Sequence, residues 1–152
     1  MFGGFKLDNN KKNIYLLYAI ALLQGMVFYG PIATLYRQQQ GLSVFDITLI
    51  ESISLIVIIA FEVPWGYISD KIGYKKTMVI CSILYFISKI VFWKADGFLL
   101  FLVERLILSV VWSGLSGCDS AYLYLSVGKN DSQKVFGIYE AMSTTGLICA
   151  AI

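Results

Sequence analysis

Five long apolar stretches, each closed by a short polar one, constrain this chain more than any other feature. They run over about 14–36, 47–69, 77–93, 98–127 and 135–152. A helix crossing ~30 Å of hydrocarbon needs ~20 mostly apolar residues, and these stretches meet or approach that length. With 58% hydrophobic and 14% charged residues and a mean hydropathy of +0.73, the chain carries more apolar surface than a water-soluble core can hide. The same figures exclude disorder, a collagen-like repeat and a charged nucleic-acid binder. In lipid, backbone polar groups must be satisfied within each span or around a closed barrel. The alternating pattern of a barrel is absent, so the expected class is an all-α transmembrane helix bundle, one domain over residues 1–152. The last apolar stretch reaches Ile152 without a polar tail, the pattern expected of a truncated chain.

Charge placement predicts orientation. With the N-terminus inside, Lys6, Lys11, Lys12, Lys71, Lys75, Lys76, Lys129 and Lys134 fall on the cytoplasmic side, leaving Arg37 and Lys94 outside. Such asymmetry in short loops sets topology. Residues 1–13, 70–76 and 128–134 are thus expected inside, and 37–46 and 94–97 outside. The first stretch is too long for the core of a cleaved signal peptide, so the expected location is the cell membrane, multi-pass.

There is no histidine, which removes histidine triads, most zinc sites and the usual pH switch. Cys81, Cys118 and Cys149 each lie in an apolar run, none forms a C-x-x-C pair, and the count is odd. Buried thiols acting as small hydrophobes are expected, with no metal and no cofactor.

The sharpest motif follows the second stretch, Gly66-Tyr67-Ile68-Ser69-Asp70-Lys71-Ile72-Gly73-Tyr74-Lys75-Lys76. Gly66 is expected to permit close helix packing, and Asp70 to accept hydrogen bonds at a neighbouring helix N-terminus, whose dipole favours an anion. Gly73 supplies a turn conformation that other residues resist. This loop resembles the one between helices two and three of the major facilitator superfamily, G-x-x-x-D-(R/K)-x-G-(R/K)-(R/K). Gly66, Asp70, Lys71, Gly73 and Lys75 match; Tyr74 stands where the family usually has arginine. Glu62-Val63-Pro64-Trp65-Gly66, Gly30-Pro31, and Arg105 followed by Ser113-Gly114-Leu115-Ser116-Gly117 resemble further family features, although Leu108-Ser109 replaces a glutamine-glycine pair. The resemblance covers nearly the whole chain but about five of the twelve helices of that family. It implies a partial N-terminal half, with the loop as part of an inner gate.

Ionisable groups inside spans are functional candidates by default. Here they are Glu51, Glu62, Lys89, Glu104, Arg105, Asp119 and Glu140. Glu51 and Glu104 read as interhelical pairing or snorkelling, and Glu62 as gate structure. Lys89, Arg105 and Asp119 divide evenly between a transport path and pairing. Asp119 is the preferred proton carrier, with Glu62 and Glu140 behind it, and Gln24 is a lining candidate. Ser109, Ser113, Gly117 and Ala121 form a small-residue ridge suited to helix packing.

The expected function is a non-enzymatic secondary transporter moving a small solute by alternating access, with proton-coupled efflux the leading variant and uptake next. Its partners would be membrane lipid, the solute, protons and further C-terminal helices, with no nucleic acid. Two alternatives stay open: a non-transporting multi-span scaffold or a nonfunctional fragment, and, lower, a membrane enzyme resting on scattered carboxylates.

Overall fold

A computed structural model of the chain describes residues 8–28, 30–127 and 132–151. Among them the ordered elements are six helices: α1 (Asp8–Gly25), α2 (Gly30–Gln39), α3 (Val44–Ile72), α4 (Tyr74–Lys94), α5 (Gly97–Ser126) and α6 (Ser132–Ala151). The all-α class follows. Helices α3, α4 and α5 are long and apolar enough to cross a bilayer; the apolar part of α1, Asn13–Gly25, is shorter. The loops expected inside at 1–13 and 128–134 lie largely outside the described residues.

The first apolar stretch is not one helix. In place of an unbroken span over 14–36 the chain stops at Gly25 and restarts at Gly30. Pro31 has no N–H to offer the carbonyl of Val27, and it disfavours helical geometry in the residue before it. The Gly30 N–H bonds the Val27 carbonyl at 3.1 Å, and the Val27 N–H turns back to the Gly25 carbonyl at 2.8 Å. Hydropathy does not register the break because the intervening residues are themselves apolar.

The chain divides into two compact units, residues 1–31 with 121–152, and residues 32–120. In the first, α1 packs along α6 at backbone contact. A Cβ on Gly25 would collide with the Ser143 carbonyl oxygen, and one on Gly146 with the Leu22 carbonyl oxygen. The Tyr18 hydroxyl donates to the Val135 carbonyl at 3.4 Å. Contacts therefore advance the same way along both helices, so α1 and α6 run parallel.

In the second unit α3, α4 and α5 alternate in direction. Ser43 and Asp46 cap α3 reciprocally: the Asp46 N–H donates to Ser43 Oγ at 3.2 Å, and the Ser43 N–H to Asp46 Oδ2 at 3.0 Å. Gly73 alone separates α3 from α4, at φ +92°, a conformation that excludes most side chains. Two apolar clusters hold the unit. One is Leu42, Ile47, Ile50, Ala95 and Phe101 near the start of α3; the other is Trp65, Cys81, Val111 and Leu115 nearer its end.

Packing corrects three expectations. A Cβ on Gly66 would meet nothing within 4 Å, so this glycine is not a close-packing point. Gly117 is likewise open, and the tight contact falls instead at Gly114, whose Cβ would lie 2.7 Å from Cys81 Sγ and 3.0 Å from the Trp65 ring. Cys81 and Cys118 are buried as expected, but Cys149 is exposed. The ridge does pack at Ser109, whose hydroxyl meets that of Ser54 across α3 and α5 at 2.7 Å. Much of the remaining apolar surface faces outward, Val63 and Trp93 among it, as lipid requires.

Candidate functional site

Five charged side chains from α2, α3, α4 and α5 form one chain of ion pairs in the second unit. Arg37 Nη1 donates to Glu51 Oε1 at 2.9 Å, and its Nη2 lies 3.4 Å from Glu104 Oε2. Lys89 Nζ lies 3.3 Å from Glu104 Oε1, and Arg105 Nη2 bonds Glu51 Oε2. The order is Lys89, Glu104, Arg37, Glu51, Arg105, charges alternating throughout. Glu104 is fully buried and Arg37 is 5% exposed. The Nε atoms of Arg37 and Arg105 are buried with no hydrogen-bond acceptor among the described residues.

Aromatic rings surround this chain. The Arg37 guanidinium stands over the rings of Phe92 and Phe101 at 5.8 and 6.0 Å, and Lys89 Nζ stands 5.1 Å from the Tyr85 ring centroid. Tyr36, Phe92 and Phe101 contact one another at centroid separations of 5.2–6.1 Å. A cation over a ring face is attracted by the ring quadrupole, more so when desolvated.

Sequence reading missed Arg37. It was expected as an outer loop residue, yet it closes the last turn of α2 and is the hub of the ion pairs. The expected pairing of Glu51 and Glu104 is present; for the fully buried Glu104, snorkelling is not. Lys89 and Arg105 join the same cluster.

The opposite end of the unit holds the loop motif. From Glu51 to Asp70 is about 28 Å along α3 at ~1.5 Å per residue, close to a hydrocarbon thickness. Asp70 is exposed and accepts a hydrogen bond from the Tyr74 hydroxyl at 2.6 Å. Tyr74, the departure from the family motif, thus occupies the carboxylate across the junction. Lys71 and Lys75 are exposed. Asp119 lies at this end of α5, 6% exposed, whereas Glu62 is exposed on α3. Gln24, half-buried, and Glu140, exposed, belong to the other unit.

Comparison with known proteins now decides the family. The Major Facilitator Superfamily model matches residues 14–152. The chain belongs to the major facilitator superfamily. A relative from Methanocaldococcus jannaschii, an uncharacterised transporter of the same type, is 22% identical over 139 residues, 90% of this chain and 36% of the relative. The chain therefore spans about a third of that relative's length. No solved structure matches. A major facilitator chain of this length is a partial helix bundle, and membership points to transport rather than to catalysis.

Proposed function

We propose that this chain is the N-terminal portion of a secondary transporter that moves a small solute across the cell membrane by alternating access. The observation that carries the reading is the single-residue junction at Gly73 with Asp70 held across it by Tyr74, in a chain matched to a transporter family over residues 14–152. A carrier needs two halves around a central solute path, so further C-terminal helices are partners of this portion. The N-terminus is cytoplasmic in this reading, which makes the Asp70 end an inner gate and the Arg37 end external. Removing Arg37 from the loop count sharpens the charge asymmetry that supports this orientation.

Efflux coupled to protons is the finer variant. Asp119 carries the proton in it: it is nearly buried, on a helix rich in serine and glycine, and changes in its solvation during the cycle would shift its proton affinity. Asp119→Asn in the full protein is expected to abolish pH-gradient-driven transport and to spare solute exchange. Loss of both would make Asp119 a solute or structural contact.

A mass-spectrometric comparison of medium and cytosol tests the transport reading without knowing the solute. Cells expressing the full protein should redistribute at least one small solute, and cells expressing Asp70→Asn at equal abundance should not. No difference from cells lacking the protein would refute transport.

A further inference from the structure

We propose that Glu62 and Trp112 form a mid-membrane site for an organic cation with an apolar or aromatic body. Glu62 stands on α3 eight residues before Asp70 and eleven after Glu51, about 12 and about 16 Å along the axis. It is therefore well inside the hydrocarbon thickness, yet it is exposed. No hydrogen bond or ion pair reaches its side chain among the described residues. An ionised carboxylate against lipid at that depth is costly, so this flank of α3 calls for a cation. The neighbouring helix supplies the second group. Helices α3 and α5 run in the same direction, with the Ser54 hydroxyl against that of Ser109 and the Trp65 ring against Gly114. Between those two contacts Glu62 falls level with Trp112. The Glu51–Arg105 bond marks the flank that the two helices share. Glu62 follows Glu51 by eleven residues, close to three turns, and Trp112 follows Arg105 by seven, close to two. Trp112 is 44% exposed, which leaves ring surface open to a ligand. Among aromatic rings the indole attracts a cation best, and a carboxylate at the same level adds charge attraction where water is scarce. The surroundings set the body of the ligand. Leu55 and Ile59 are exposed on the same flank, and a Cβ on Gly66, one turn beyond Glu62, would meet nothing within 4 Å. A single carboxylate cannot replace the oxygen shell of a hard metal ion, whereas an organic cation needs only charge, ring surface and room. The inference rests on the carrier reading in one respect only, that the cation is cargo.

Titration calorimetry of the full protein in detergent tests the site, with tetraphenylphosphonium as the cation and tetraphenylborate as an anion of nearly equal size and shape. Saturable binding of the phosphonium is expected, with binding of the borate absent. Glu62→Gln should weaken phosphonium binding about tenfold or more, the loss of an opposite charge away from bulk water. Glu62→Asp, which keeps the charge, should retain most of it, and neither variant should change thermal unfolding without ligand. Trp112→Leu should weaken binding about threefold or more, the loss of the ring face, and decides the matter if Glu62→Gln does not fold. Equal binding of the two ions, no saturable phosphonium binding, or undiminished binding in the folded variants would overturn the proposal. A lowered unfolding temperature in ligand-free Glu62→Gln with phosphonium binding unchanged would overturn it as well, and would assign Glu62 to a cation on another helix. Redistribution of a solute by a protein that binds no phosphonium would sink the cation site and leave the carrier reading standing. Phosphonium binding by a protein that redistributes no solute would do the reverse.

Discussion

Glu104 is the charge most completely removed from solvent, and two cations converge on it. Its removal leaves Arg37 in a buried position with one carboxylate fewer, and breaking a buried pair in this way costs about 3–5 kcal/mol. Glu104→Ala should therefore lower the thermal unfolding temperature strongly in detergent, and an unchanged unfolding temperature would show that the pairing carries little of the fold. Gly114→Ala is a smaller insult of a different kind. The added methyl must displace Cys81 Sγ or the Trp65 ring, an overpacking expected to cost about 1–3 kcal/mol. Gly117→Ala, one turn on and open, should be near neutral in the same assay. Gly73→Val places a β-branched side chain at φ +92° and ψ +139°, backbone geometry nearly confined to glycine, at a cost of about 1–3 kcal/mol. Within the transport reading it should impair flux as well.

At the scale of elements, the α1–α6 pair makes the sharpest prediction. Gly25 and Gly146 meet at backbone distance, so Gly146→Leu should push the helices apart and lower stability, while Cys149→Ala, at an exposed position, should leave it unchanged. Equal unfolding of the two variants would contradict the interlock. The helices themselves were legible in the sequence wherever the signal is local. Apolar length marked α3, α4 and α5, and glycine chemistry marked the Gly73 junction. The break before α2 was carried by Gly30-Pro31, which apolar length overrides unless backbone hydrogen bonding is counted. The hub at Arg37 was not legible, because its burial is fixed by Phe92, Phe101 and Glu104, more than fifty residues away. An arginine followed by three glutamines and a glycine has the local character of a loop. Gly66 failed for the related reason that a motif names a residue but not its neighbours.

For the whole molecule, one geometric relation supports everything proposed about transport. The ion-pair chain and the Asp70 junction sit at opposite ends of one unit, separated along α3 by about a hydrocarbon thickness. In the proposed reading the Asp70 end faces the cytoplasm and the Arg37 end the outside. The parallel run of α1 and α6 agrees with helices one and five of an alternating series crossing in the same sense. The most direct measurement is labelling of single cysteines, in a cysteine-free background, with a membrane-impermeant maleimide applied to intact cells and to inverted vesicles. Gln40→Cys and Lys75→Cys are both exposed positions at the two ends. The account predicts that Gln40→Cys is labelled only in intact cells and Lys75→Cys only in inverted vesicles; labelling of both from the same side, or of Lys75→Cys from outside intact cells, would contradict it.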